Sequence, residues 1–334
     1  MIINILLTAL GFFLLVVGAD ILVDGAGSVA KKFKIPVIVI GLTIVAIGTS
    51  MPEMVVSTAA AITGHSDISI GNVVGSNIAN LLFILGVCAV IKPLKFKKQT
   101  KLIENFIAIA TTIILCLVCM IPNHITPAMP EGIATNQQLS AIPILQITRA
   151  EGIFLLISFA LFICYTIWIS KKANDEEEEV EIKELSLFKS CAFIVLGVIA
   201  LKFGGDLVVE YVSAIAKAIG ITERVISLTI VAFSTSLPEL ITSINATKKG
   251  EVDMAIGNII GSGIFNILLI LGVSAVISPI NYAVNYNFDL IVLLIATIIF
   301  AIFPFVGQKD HMSKREGIFF ILAYLGYLTY LVIA

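Results

Sequence analysis

The sequence predicts an all-α polytopic membrane protein: ten transmembrane helices in two inverted five-helix repeats, with a broken helix inside each repeat. Three observations carry this. The 334 residues are 58% hydrophobic and only 13% charged, with a mean hydropathy of +1.06, against roughly 45–50% apolar and about 25% charged in a soluble domain. Apolar runs long enough to cross a bilayer recur along most of the chain. Residues 41–93 also align without a gap on residues 227–279, with 29 identities in 53 positions at a constant offset of 186. A water-soluble globule is excluded, and a net charge of −2 offers nucleic acid no basic surface.

The spans fall near 2–24, 36–63, 69–91, 102–121, 150–170, 188–212, 221–247, 253–278, 286–307 and 315–333. The first does not read as a signal peptide, because it has no basic leading region and carries Asp20 and Asp24 at its far end. Spans 36–63 and 221–247 exceed the ~20 residues of a straight crossing. Each holds a proline near its middle, Pro52 and Pro238, so each is expected to break there. Residues 122–148 form a polar connection whose only charge is Glu131. Residues 171–187 form an acidic linker, with Asp175, Glu176, Glu177, Glu178, Glu179, Glu181 and Glu184, between a first half at 1–170 and a second at 188–334. Such a charge run reads as solvated linker. It lacks the turn glycine and ligand spacing of a folded calcium loop and is too short for a regulatory domain. Cys88, Cys116, Cys119, Cys164 and Cys191 all sit within apolar runs and are expected to be free, buried thiols.

Basic residues set the orientation. Alternate loops hold Lys31, Lys32 and Lys34; Lys92, Lys95, Lys97, Lys98 and Lys101; Lys171, Lys172, Lys183 and Lys189; Lys248 and Lys249; and Lys309, Lys314 and Arg315, which is 17 of the 21 Lys and Arg. The positive-inside rule places these loops in the cytoplasm and both termini outside. The repeat offset spans five helices, an odd number, so the two copies must run in opposite senses. Asp20 and Asp206 obey the same offset, which extends the duplication to the first helix of each half. Inverted repeats with interrupted helices are the signature of secondary transporters, whose sites lie where the repeats meet.

Each repeat puts one glutamate in mid-span, Glu53 in GTSMPE and Glu239 in STSLPE. A charge at the bilayer centre costs about 2.5–3.5 kcal/mol even on the lenient insertion scale. Neither repeat's membrane core contains a basic residue to offset it, so a bound cation is the expected counter-charge. Thr49, Glu53 and Ser57, and likewise Thr235, Glu239 and Ser243, fall at i, i+4 and i+8 on one helix face. Pro52 and Pro238 bring no N–H to the carbonyls of Gly48 and Ser234, which then need another partner. Hydroxyl, carboxylate and carbonyl oxygens suit Ca²⁺, and the absence of nearby His or Cys argues against zinc or copper. The facing stripes are Asn72, Ser76 and Asn80, and Asn258, Ser262 and Asn266. Asn80 and Asn266, near mid-span, are the better ligand candidates, with interhelical hydrogen bonding left open as their other role. Gly71, Gly75, Gly257 and Gly261 are read as close-packing positions.

The pair GTSMPE…GNVVGSNIAN and STSLPE…GNIIGSGIFN resembles the two α-repeats of the sodium/calcium exchangers, within the calcium/cation antiporter superfamily, in the prokaryotic form that lacks regulatory domains. The resemblance implies an antiporter with Ca²⁺ and Na⁺ as transported ions, no cofactor, and the ion sites between the second, third, seventh and eighth spans. Carried over by position, calcium would meet Glu53 and Glu239 and the backbone oxygens of Thr49 and Thr235. Sodium would meet Ala46, Ser50 and Ser262, and Ala232, Ser236 and Ser76, with Asn80 and Asn266 flanking the centre. The first and sixth spans would slide as a gating pair, and three sodium ions would exchange for one calcium. Asn266 stands where potassium-dependent relatives, and some prokaryotic members, carry Asp; the missing charge argues against potassium co-transport. A proton- or other-cation-coupled calcium antiporter, and a calcium-permeable channel, are the alternatives. An enzyme is not expected: His65, His124 and His311 lie in loops, with no nucleophile–base pair and no phosphate-binding loop. The expected setting is the plasma membrane, with the lipid bilayer as partner, no nucleic acid, and a monomeric chain.

Overall fold

The computed structural model describes residues 2–63, 67–96, 103–120, 145–172, 184–219, 232–282, 286–305 and 310–333. The described chain is helical, with helices α1 (Ile2–Phe33), α2 (Val37–Thr49), α3 (Met51–Ile62) and α4 (Ile68–Ile91). These are followed by α5 (Asn105–Met120), α6 (Arg149–Lys172) and α7 (Leu187–Ala218). A helical turn at Ala232–Ser234 leads to α8 (Leu237–Lys249), α9 (Val252–Ile277), α10 (Asn287–Phe305) and α11 (Lys314–Ile333). Six of these helices are long and apolar enough to cross a membrane, seven if the bent pair α2–α3 is one span.

Several boundaries differ from those the sequence predicts. Helix α1 continues past 24 to Phe33, because nothing in residues 25–33 breaks it. It stops only at Lys34, with φ of +53°, ahead of Pro36. Helix α7 likewise runs on to Ala218. The predicted break in the second span falls at Ser50, where α2 and α3 meet at 50°. Pro52 occupies the first turn of α3, where a missing N–H costs nothing. Pro238 takes the same place at the start of α8. The first part of the predicted 221–247 span lies outside the described residues, as do His65, His124, most of the 122–148 connection and the acidic residues 175–181.

Helices α4 and α9 form the centre. In their most apolar 18-residue stretches 72% and 78% of the residues are buried, against 22% and 28% in those of α1 and α7, which face outward there. That is the distribution expected when the medium around the protein is itself apolar. Helix α1 crosses α7 through two glycine pairs. A Cβ added at Gly11 would lie 2.9 Å from the carbonyl oxygen of Gly204, and one at Gly18 would lie 3.0 Å from that of Gly197. Gly11 and Gly197, and Gly18 and Gly204, are related by the repeat offset. Gly257 and Gly261 do act as close-packing positions: a Cβ there would meet the carbonyl oxygens of Ile38 and Leu42 at 2.6 and 2.7 Å. Two short antiparallel ribbons tie the helix ends. Strand β1 (Leu94–Lys95) pairs with β4 (His311–Met312), and β2 (Leu145–Ile147) pairs with β3 (Ile280–Tyr282). All five cysteines are free, as expected, but only Cys88 and Cys119 are buried. Cys164 and Cys191 are exposed on the outward faces of α6 and α7, where an apolar medium makes burial unnecessary.

Candidate cation site

The α2–α3 break and its counterpart before α8 place the two glutamates. Each sits in the first turn of the helix after the break, and each is fully buried. In that turn backbone N–H groups lack intrahelical partners and the helix dipole favours a carboxylate. Glu53 Oε1 accepts from Ser76 Oγ at 3.3 Å; Glu239 Oε1 accepts from Ser50 Oγ at 2.9 Å and Ser262 Oγ at 3.5 Å. Serines of the facing helices thus reach both glutamates, and the serine at the α2–α3 break crosses to the opposite repeat. The second oxygen, Oε2, is buried without a hydrogen-bond partner in both residues. Ion pairs among the described residues include Lys31–Glu184, Lys202–Asp206 and Lys249 with Asp20 and Asp24, all away from these two carboxylates.

The facing wall comes from α4 and α9. Both contain a wide turn, Ala79–Ile84 and Phe265–Ile270, in which the backbone steps from α to π geometry. Asn80 and Asn266 lie in these turns. Such turns cost hydrogen-bond geometry and recur at functional sites. Both Asn80 amide atoms, and Oδ1 of Asn266, are buried with no partner. Four unpartnered oxygens, two from carboxylates and two from amides, thus belong to two repeat-related residue pairs. Buried acceptors of this kind are costly unless something satisfies them.

The remaining predicted residues surround these. Thr49, Ser50, Ser76, Ser236 and Ser262 are buried, as is Ala46, whose carbonyl accepts from the N–H of Ser50 at 3.0 Å. Ser236 Oγ has no partner. Thr235 is half-buried, 3.4 Å from Ser76 Oγ and donating to Asn72 Oδ1 at 3.4 Å. Thr49 donates to Asn258 Oδ1 at 3.0 Å. Ala232 opens the helical turn before Glu239, and its side chain lies outside the described residues. Behind the glutamates, Asn72 donates to Ser57 and Asn258 to Ser243, each at 3.0 Å. These asparagines are therefore interhelical ties. Two residues that sequence spacing does not single out as site residues carry buried polar groups here as well. Thr242 is buried with its hydroxyl unpartnered, and Asn77 donates to the carbonyl of Gly263 at 3.2 Å while accepting from Asn266 at 2.9 Å. The signals for Asn77 in the sequence are an amide one turn before Asn80 and the break it makes in the repeat, where Gly263 stands at the equivalent position.

Among the described residues no cluster of three or more His, Cys, Asp or Glu comes together, so the site is built from two carboxylates and neutral oxygens. The family model described as sodium/calcium exchanger protein matches residues 3–168 and 189–333. The chain belongs to the sodium/calcium exchanger family. This exchanger is 34% identical over 335 residues to the putative antiporter CaxA of Alkalimonas amylolytica, covering 98% of each chain. It is 31% identical over 350 residues to the sodium/calcium exchanger MaX1 of Methanosarcina acetivorans, again covering 98% of each. Among solved structures it resembles the sodium-calcium exchanger NCX_Mj with a TM-score of 0.79 at 30% identity, covering 98% of each chain. The exchanger is a multi-pass membrane transporter of cations, not an enzyme.

Proposed function

We propose that the exchanger moves Na⁺ against Ca²⁺ by alternating access, electrogenically and without potassium. The observation that carries this is the pair of buried, unbridged glutamates, Glu53 and Glu239, each keeping one oxygen free, as do the amides of Asn80 and Asn266 in the central helices. Two carboxylates match one divalent ion or several spread monovalent ions, so the two cargoes compete for the same oxygens. Calcium takes Glu53 and Glu239 with the carbonyls of Thr49 and Thr235. Sodium takes Ser50, Ser76, Ser236 and Ser262 with the carbonyls of Ala46 and Ala232. Asn266, neutral where potassium-dependent relatives carry a carboxylate, supplies no charge for a third type of ion.

The architecture in this reading is ten spans in two inverted halves, 1–170 and 188–334, joined by the acidic linker 171–187. Both termini face outward from the plasma membrane, and a single chain does the work. The repeat-related hydrogen bonds and the symmetric glycine crossing of α1 and α7 support the inversion. Helices α1 and α7, which lie outside the α4–α9 centre, are the sliding pair. Interrupted helices that close around two carboxylates favour alternating access over a pore, which needs an open path of weak sites.

Sodium-loaded liposomes test the reading. An outward sodium gradient should drive ⁴⁵Ca²⁺ uptake with or without potassium. Three charges leaving for two entering make the interior negative and slow uptake, so valinomycin with external potassium should accelerate it. Uptake driven by a proton gradient and indifferent to sodium would assign the proton-coupled alternative. Calcium flux with no ion on the opposite side would assign a channel.

A further inference from the structure

Most polar residues at the centre come in repeat-related pairs, but Asn77 corresponds to Gly263. Asn77 is buried and bridges the two repeats. Its Nδ2 donates to the carbonyl of Gly263 at 3.2 Å. A backbone carbonyl can only accept, so this bond fixes which end of the Asn77 amide points where. The remaining end, Oδ1, then demands a donor, and Asn266 Nδ2 meets it at 2.9 Å. Two amides in series are thereby oriented by one backbone group. Asn266 is left with its oxygen free and buried, whereas Asn80, its repeat counterpart, is bonded at neither end. The absence of a side chain at 263 matters too: a Cβ there would already lie 3.9 Å from the Asn77 amide atoms, so a second asparagine would crowd the same space.

We infer that Asn77 is a positioning residue for the ion site: it presets Asn266 with its oxygen available to cations, while Asn80 has to choose its orientation when an ion arrives. The inference rests on the cation-site reading above. An asparagine free to turn can present either an N–H, which repels a cation, or an oxygen, which binds it. Holding one of the two removes that ambiguity on one side of the site. The two halves then contribute unequal ligands from nearly equal sequences. Partners that orient a metal ligand from behind typically contribute about 10–100-fold in affinity.

The test is a mutant cycle on the full chain in liposomes, reading the calcium concentration for half-maximal exchange separately from the maximal rate. Asn77→Ala should raise that concentration about tenfold with the maximal rate changed little. Adding Asn266→Ala should then cost almost nothing more, because the ligand has already lost its orientation. Adding Asn80→Ala should cost as much as it does in the parent protein. Independent, multiplying effects of Asn77→Ala and Asn266→Ala would overturn the inference, as would a loss of maximal rate alone. If Asn77→Ala does not fold, the exchange Asn77→Gly with Gly263→Asn carries the test. It should restore near-parental affinity and transfer the larger alanine effect from Asn266 to Asn80; no transfer in a folded protein overturns the inference. Glu239→Gln serves as the control that separates the two claims. Calcium exchange surviving that substitution unchanged rejects the site itself, whereas a dead Glu239→Gln beside an unaltered Asn77→Ala rejects only the positioning role.

Discussion

The two halves of the exchanger agree closely where ions would bind and disagree where the helices meet the loops. Around Glu53 and Glu239 most partners repeat: Ser76 and Ser262, Asn72 and Asn258, Ser57 and Ser243, although Ser50 reaches Glu239 while Ser236 Oγ has no partner. At the ends they diverge. Asp20 and Asp24 of α1 both engage Lys249 at the end of α8, Asp20 at 2.7 Å, and Lys249 also donates to the Asp20 carbonyl at 2.9 Å. The residues related by the offset are Asp206, Glu210 and Thr63, and Thr63 brings no cation. Asp206 instead pairs with Lys202 one turn back on its own helix at 2.6 Å. A duplicated chain has thus kept most of its central pairs, with Asn77 and the Ser50–Glu239 bond as departures, and let its braces become wholly one-sided.

The sharpest way to break this comparison is at the symmetric centre. Glu53→Gln and Glu239→Gln should each cut calcium exchange by about 100-fold or more, since each would leave a divalent ion facing one carboxylate among buried side chains. Symmetry requires the two losses to be of similar size. Robust ⁴⁵Ca²⁺ exchange by a folded double Gln variant would remove the shared site altogether.

Asn266→Asp comes next and tests the asymmetry at the centre. The new carboxylate would face Asn77 Oδ1, which now accepts from the Asn266 amide at 2.9 Å. Two acceptors cannot share that contact, so the acid should take a proton or recruit a further monovalent cation. Exchange should become more pH-dependent, or acquire a response to potassium, with protein yield little changed. Profiles of pH and potassium that overlay the parent would place residue 266 outside the ion site.

Much of this is legible in the sequence, and the reason is the medium. In a bilayer every polar group in a span has to be accounted for, so Glu53, Glu239 and the asparagine stripes stand out against apolar surroundings. The duplication then doubles the signal, and Pro52 and Pro238 mark the breaks to within two residues. Less is legible where the determinant is backbone geometry. Nothing in the runs ANLLFI and FNILLI announces a π turn, so the sequence does not reveal the wide turns that hold Asn80 and Asn266. The Asn77–Gly263 contact depends on how two distant helices cross, which spacing along one chain does not encode. The reach of Lys249 to α1, over 225 positions to Asp24, is of the same kind.

Lys249→Gln should have a smaller effect than either centre variant. Lys249 is partly sheltered, and Asp24 is nearly buried, so its loss leaves the two carboxylates of α1 without that cation where α1 meets α8. The expected result is a shift, about fivefold, in the ratio of apparent calcium affinities measured from the two sides of the membrane, equivalent to about 1 kcal/mol. The nearby Glu251 adds a pH signature. Burial pushes its carboxyl up to about 7, against the pull of Lys249 and with Asp24 adding to the rise. A carboxyl whose folded value is raised favours the folded state while protonated, and that contribution is lost as pH climbs from its ordinary 4.5 toward neutrality. Glu251→Gln should therefore flatten the decline in melting temperature over that interval, and an unchanged decline would show that another group is responsible.

The smallest effect belongs to the brace that stays on one helix. Lys202 and Asp206 pair at i, i+4 with side chains 41% and 56% exposed, an arrangement worth about 0.3–0.5 kcal/mol on a helix surface. The pair itself joins α7 only to α7. Lys202→Gln should consequently leave the two-sided affinity ratio, the maximal rate and the melting temperature close to parental, in contrast to Lys249→Gln. If both substitutions shift the ratio by the same factor in opposite senses, the braces are equivalent after all, and the one-sidedness is a property of this conformation instead of the sequence. If only Lys249→Gln does, then transplanting the cation by Thr63→Lys should move the ratio the other way, because the new ammonium would occupy the repeat-related place from which Asp206 and Glu210 can receive it.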